Sequence, residues 1–123
     1  MNWYKKAQQN IEFNSDVGIH TIKLGPATII YQINENGVVN LSSLRVPQKY
    51  RRKGFSKNIL TEFTKWLDKA NLSSTLGASP LDKKTSPSRL EKLYHEFGYN
   101  PTGKYINPAF DKEMKRDPNN ELV

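Results

Sequence analysis

Across Pro47 the apolar residues of this chain change their spacing, and with it the structure they can form. Upstream, "GIHTIKL" (18–24) alternates, with Ile19, Thr21 and Lys23 opposite His20, Ile22 and Leu24. Gly25-Pro26 breaks that run, and "ATIIYQI" (27–33) reads as a second strand. Glu35-Asn36-Gly37 supplies a turn, because Asn-Gly readily adopts positive φ. "VVNLSSLRV" (38–46) reads as a third strand, and the short connections predict an antiparallel meander. Downstream, Phe55 is followed by Ile59, Leu60, Phe63, Trp66, Leu67 and Ala70. This spacing is one face of a helix, with Asn71 as its stop. Phe63, Trp66 and Leu67 are its expected core residues.

"SSTLGAS" (73–79) is a short strand closed by Pro80, and Leu81 to Thr85 is a polar loop. A second helix starts either at Ser86-Pro87, with Pro at the first helical position, or one step later through a Ser88–Glu91 capping box. Leu90, Leu93, Tyr94 and Phe97 form its buried stripe, and Gly98 ends it. "KYINPAF" (104–110) reads as a last strand, "FDKEMKRDPNNELV" (110–123) as a strand end or tail, and residues 2–10 as a short helix. The order of strands, helix, strand, helix and strand predicts an α/β (α+β) layer fold. With 123 residues the chain is expected to form one domain over 1–123, with 1–17 as a short leading segment.

The formal net charge of +7 favours anionic partners. There is no cysteine, and His20 and His95 are the only histidines. That excludes a disulfide framework and a thiolate nucleophile, and it argues against a metal centre. No apolar run approaches the ~20 residues of a membrane-spanning helix. The start of the chain carries no apolar signal core, so no membrane association and a cytoplasmic location are expected.

Lys49, Arg51, Arg52 and Lys53 put four positive charges into five residues, followed at once by Gly54. The run lies between a strand and a helix. A helix N-terminus offers unpaired N–H groups and a partial positive charge, and Gly permits close approach of a ligand to the backbone. Strand, basic loop, Gly and helix together read as a pyrophosphate cradle. Neither GxxxxGK[ST] nor GxGxxG is present.

What is present is Arg51-Arg52-Lys53-Gly54-Phe55-Ser56, or R-x-x-G-x-S, preceded by Val46-Pro47. This resembles the central [QR]-x-x-G-x-[GA] motif of the GCN5-related N-acetyltransferases. "LYHEFGYNP" (93–101) is similar to the family's later Leu-Tyr-x-x-x-Gly-[Phe/Tyr] helix ending, about 40 residues on in both. The similarity covers roughly residues 18–110. It departs from the pattern at Ser56, where Gly or Ala is usual, and Pro87 falls near the place of a frequent Asn.

The resemblance implies a central, mostly antiparallel mixed sheet flanked by helices, with the N-terminal helices reduced and an open acceptor side. It implies acetyl-coenzyme A as acetyl donor, with no metal. Arg51, Arg52, Lys53, Gly54, Phe55 and Ser56 would hold the pyrophosphate, and Leu44 and Val46 would offer backbone groups to the pantetheine arm and the oxyanion. Tyr94 would be the general acid that protonates the departing thiolate. The general base stays open among Glu35, His20, His95, Glu96 and a water chain. The acceptor would be a primary amine, with a protein lysine as one option, and the protein a monomer or homodimer. Two other readings fit the charge: a basic nucleic-acid-binding module, and an acyl-coenzyme A binder without turnover.

Overall fold

The computed structural model describes residues 12–78, 87–105 and 112–119. Its sheet has six strands: β1 (Gly18–Leu24), β2 (Ala27–Ile33), β3 (Val39–Arg45), β4 (Ser74–Ala78), β5 (Asn100–Tyr105) and β6 (Lys112–Arg116). The strand order is β1-β2-β3-β4-β6-β5. The expected meander is present, since β1 pairs antiparallel with β2, and β2 with β3. The one parallel pair is β3 with β4, joined through helix α1 (Phe55–Ala70). Helix α2 (Pro87–Glu96) leads from β4 to β5.

Helix α1 spans the stretch that its apolar spacing marks out. Asn71, at φ 58°, turns its end, and the Leu72 amide donates to the Leu67 carbonyl. Ile59, Leu60, Phe63 and Leu67 are fully buried. Trp66 departs from its expected core place and is only half-buried, and Ala70 is exposed. Phe13, from the segment before β1, stacks on the Trp66 ring at 5.0 Å and 14°. Tyr31 Oη ties down the same segment, donating to the Asn14 carbonyl (2.9 Å) and accepting from its amide (2.8 Å).

Helix α2 begins with Pro87 in its first turn, as the first of the two expected starts places it. It ends before Gly98, which sits at φ 96°. Two expectations at the end of the chain are corrected. The fifth strand starts at Asn100, four residues before "KYINPAF", and residues 106–110 lie outside the described part. Its Pro101 is tolerated because β5 is an edge strand. The stretch read as a strand end or tail holds β6, an interior strand paired on both sides. The expected helix over 2–10 lies outside the described residues.

Both described helices pack on one face of the sheet. That face carries Ile29, Tyr31, Val39, Leu41, Ser74, Leu76, Met114 and Arg116, all buried. Arg116 ties it together. Its Nε donates to the Phe97 carbonyl just past α2 (2.6 Å), and its Nη2 donates to Asp68 Oδ2 near the end of α1 (3.0 Å). Nη1 lies 2.8 Å from Asp68 Oδ1, an ion-pair distance, without the alignment of a hydrogen bond. The Asn119 amide donates to the same oxygen. Gly98 makes room for this clamp, since a Cβ there would come within 3.1 Å of Arg116 Nε.

Partial burial pushes the Asp68 carboxyl up, but the hydrogen bonds from Arg116 and Asn119 and the Arg116 charge outweigh it. The carboxyl is held below its ordinary value. Its stabilising contribution is therefore complete above the ordinary carboxylate range and lost as pH falls through the lowered folded value. Asp68→Ala leaves a buried guanidinium unpaired and is expected to cost about 3 kcal/mol in urea unfolding at pH 7. The gap between wild type and Asp68→Ala should narrow as the pH is lowered below about 4.

Candidate functional site

Strands β3 and β4 share three residue pairs, Val39–Ser74, Asn40–Thr75 and Leu41–Leu76, and then part. Past that point β3 continues to Arg45 on its β2 side, and β4 continues to Ala78 on its β6 side. The parting coincides with a bulge. Ile30 faces Ser43 and Tyr31 faces Leu41, so Ser42 is an extra residue on β3. A bulge bends its strand and raises the local twist. Among the described residues, no backbone bond joins the facing edges of β3 and β4 past that point. A short polar chain marks its head: Thr75 Oγ1 donates to Asn40 Oδ1 (3.3 Å), and Asn40 Nδ2 donates to Ser42 Oγ (3.2 Å).

Leu44 lies on β3 within the parted stretch, opposite Ile29 of β2, and is half-buried. Val46 follows the strand and is buried. Its carbonyl accepts from Arg51 Nε at 2.9 Å, so that oxygen is engaged within the protein. A single 3₁₀ turn, Gln48–Tyr50, leads into the basic run. Lys49 Nζ stands 5.1 Å from the centre of the Tyr50 ring, which meets Phe55 edge-on at 6.0 Å.

The backbone then turns left-handed at Arg52 (φ 62°) and again at Gly54 (φ 86°). Such alternation turns successive N–H groups into a concave surface. Gly54 is the N-cap of α1, and no side chain caps the helix. The Asn58 amide donates to the Gly54 carbonyl as the first helical bond, and the amides of Ser56 and Lys57 precede it in the first turn. Phe55 and Ser56 are half-buried, whereas Arg51, Arg52, Lys53 and Gly54 are exposed. Between Glu35 and Glu62 the sequence carries Arg45, Lys49, Arg51, Arg52, Lys53 and Lys57 and no carboxylate. The mouth of the opening is thus strongly positive.

Tyr94 projects from α2 into the shared core and is only 6% exposed. Its ring meets that of Tyr99 edge-on at 5.9 Å, and Tyr99 Oη shares a hydrogen bond with Ser74 Oγ (2.8 Å) on β4. Burial pushes the Tyr94 phenol up to about 12, so it is protonated at neutral pH. The four side chains considered as bases lie elsewhere. Glu35 is exposed in the β2–β3 turn, and His20 is on β1 with Nε2 at the Asp16 carbonyl (2.8 Å). His95 Nδ1 meets the Tyr99 carbonyl (3.2 Å), and Glu96 pairs with Lys57 (3.4 Å). None of the four is on the strands that part.

No protein-family model matches the sequence, and no curated protein is detectably similar to it. Solved structures do match. The anti-CRISPR protein AcrVA5 superposes with a TM-score of 0.65 at 20% identity, over 80% of this chain and 98% of that one. The PaiA N-acetyltransferase of Thermoplasma acidophilum, solved with coenzyme A, gives 0.55 at 20% identity over 74% and 52%. A GNAT-family acetyltransferase of Staphylococcus aureus Mu50 gives 0.57 at 18% over 76% and 60%. The chain has the fold of the GCN5-related N-acetyltransferases. It spans about half to three-fifths of the length of the latter two proteins.

The basic loop lies between a strand and a helix and Tyr94 lies on α2, as the sequence predicts. The bulge at Ser42 and the Asp68–Arg116 clamp join residues far apart in the chain and leave no local signal. Gly54 is needed for its dihedral alone, since the space around a Cβ there is open. Gly54→Ala is therefore expected to cost about 1 kcal/mol, seen as a lower urea midpoint with an unchanged slope.

Proposed function

We propose that this protein is an acetyl-coenzyme A-dependent N-acetyltransferase. The observation that carries the reading is the parting of β3 from β4 directly upstream of a basic, glycine-containing turn and an uncapped helix start. An extended, amide-bearing chain with a pyrophosphate at one end fits both parts. The opening offers strand-like hydrogen-bond partners, and the turn offers convergent N–H groups with cationic side chains around them. The likeness to a fold solved with coenzyme A supports the same ligand.

In this reading the amides of Arg52 to Ser56 take the pyrophosphate, and Arg51, Arg52 and Lys53 supply positive charge. Leu44 and Val46 contribute backbone N–H groups along the opening, one of them to the developing oxyanion. Tyr94 stays protonated and gives its proton to the departing thiolate. The acceptor is a primary amine, and an ε-amine on a protein is the form we favour among acceptors. Ser56 adds a hydroxyl where the family's small residue stands, within the first turn of α1.

Calorimetric titration with acetyl-coenzyme A tests the reading. Micromolar binding is expected, with a loss of tenfold or more in both Arg52→Glu and Gly54→Glu. Absence of binding by folded wild-type protein would overturn it, and titration with nucleic acid across salt would then examine the competing assignment.

Tyr94 gives a separate prediction. Tyr94→Phe should leave binding of acetyl-coenzyme A intact and lower kcat by about 10²-fold. Because the phenol is raised to about 12, its ionisation should cause no fall in rate below about pH 10. An alkaline decline centred near pH 9 would contradict the assigned role.

A further inference from the structure

Among the described residues of β3, β4 and β6, the face of the sheet away from the helices carries one carboxylate, Glu113. Along β4, Ser74 and Leu76 are buried on the helix face, so Thr75 and Gly77 lie on the other. Along β6, Met114 and Arg116 are buried on the helix face, so Glu113 and Lys115 lie on the other. Gly77 is the first residue of β4 past its last pair with β3, and its partner on β6 is Glu113. Glu113 therefore stands one strand, about 4.8 Å, beyond the parted edge of β4. Gly77 has no side chain, so β4 places nothing over that row between the carboxylate and the opening.

The carboxylate is held. Thr102 Oγ1, on β5, donates to Glu113 Oε1 at 2.8 Å, which leaves Oε2 without a hydrogen bond among the described residues. No other described Asp, Glu or His lies on β3, β4 or β6. The surroundings are otherwise cationic and would repel an ammonium, so one fixed carboxylate beside the opening has a large local effect.

We propose that Glu113 receives the acceptor ammonium and takes its proton, with Thr102 as the residue that positions the carboxylate. This rests on the acetyl-transfer reading above and supplies its missing base. The protonated amine loses one proton to Glu113, directly or through one water, and that proton passes on to solvent. The neutral nitrogen then forms the C–N bond at the thioester carbonyl, and the C–S bond breaks. The second N–H proton and the Tyr94 proton together leave an amide, a free thiol and a reprotonated phenol. Tyr94 lies on the helix face of the sheet, and Glu113 on the face away from the described helices.

The test compares wild type with Glu113→Gln on two acceptors at pH 7, poly-L-lysine and hydroxylamine, with acetyl-coenzyme A binding measured in parallel. Lysine is mostly protonated at that pH and needs a base, whereas hydroxylamine is mostly neutral and does not. The expected result is unchanged coenzyme binding, a loss of about 10²-fold or more with poly-L-lysine, and a change of less than about threefold with hydroxylamine. Thr102→Val should give a smaller loss confined to poly-L-lysine. Equal rates for wild type and Glu113→Gln would overturn the role of Glu113 and leave the acetyltransferase reading standing. Equal losses on both amines would overturn a role in proton removal. Coenzyme binding without transfer to either amine would overturn it as well. Absence of coenzyme binding by the wild type would remove it together with the reading beneath it.

Discussion

Parallel strands normally stay paired along their shared length, because every peptide group left unpaired must find another partner. Here β3 and β4 part after Leu41–Leu76. The extra residue at Ser42 bends β3 away, while β2 on one side and β6 on the other keep each strand straight enough to continue. The opening is therefore a set of fixed backbone donors and acceptors rather than a pocket lined by side chains. Water can serve those groups in the free protein. A ligand with amides along its length can replace that water without asking the protein to rearrange.

The rest of the fold holds the two halves at that separation. Helix α1 leaves from the end of β3, and its buried stripe of Ile59, Leu60, Phe63 and Leu67 fixes it against the sheet. The turn at Arg52–Gly54 is thus anchored at both ends, by Val46 and by the first helical turn. On the other side, Arg116 draws the ends of α1 and α2 to β6, and β6 aligns β4 over five residue pairs. The same alignment sets Glu113 beside Gly77. The half-buried Asp68–Arg116 pair thereby joins β6, and through it β4, to the ends of both helices.

Much of the frame was legible because its signals are local. Alternation marked β1 to β3, a helical stripe marked α1, and Asn71 and Gly98 marked two helix ends. The loop carries charge, glycine and position in one short stretch, so it was readable too. Trp66 was misplaced because periodicity cannot tell the centre of a buried stripe from its margin. The stretch that holds β6 reads as a strand end or tail because "KEMKR" buries only alternate residues and its three others, Lys112, Glu113 and Lys115, are all charged. Glu113 could not be found without the pairing of β4 with β6, and Ser42 could not be recognised as a bulge without the register against β2. These are properties of strand partners, which a single sequence does not spell out.

The central claim is that the parted strands and the Arg52–Ser56 turn form one ligand surface. Two-dimensional amide NMR during titration with coenzyme A tests it residue by residue. The largest shifts are expected at Leu44, Val46, Arg52, Lys53, Gly54, Phe55, Ser56 and Gly77, with β1 and the Asp68–Arg116 clamp little changed. Shifts confined to the exposed lysines, or spread over the sheet without the Gly54 and Leu44 amides, would contradict it.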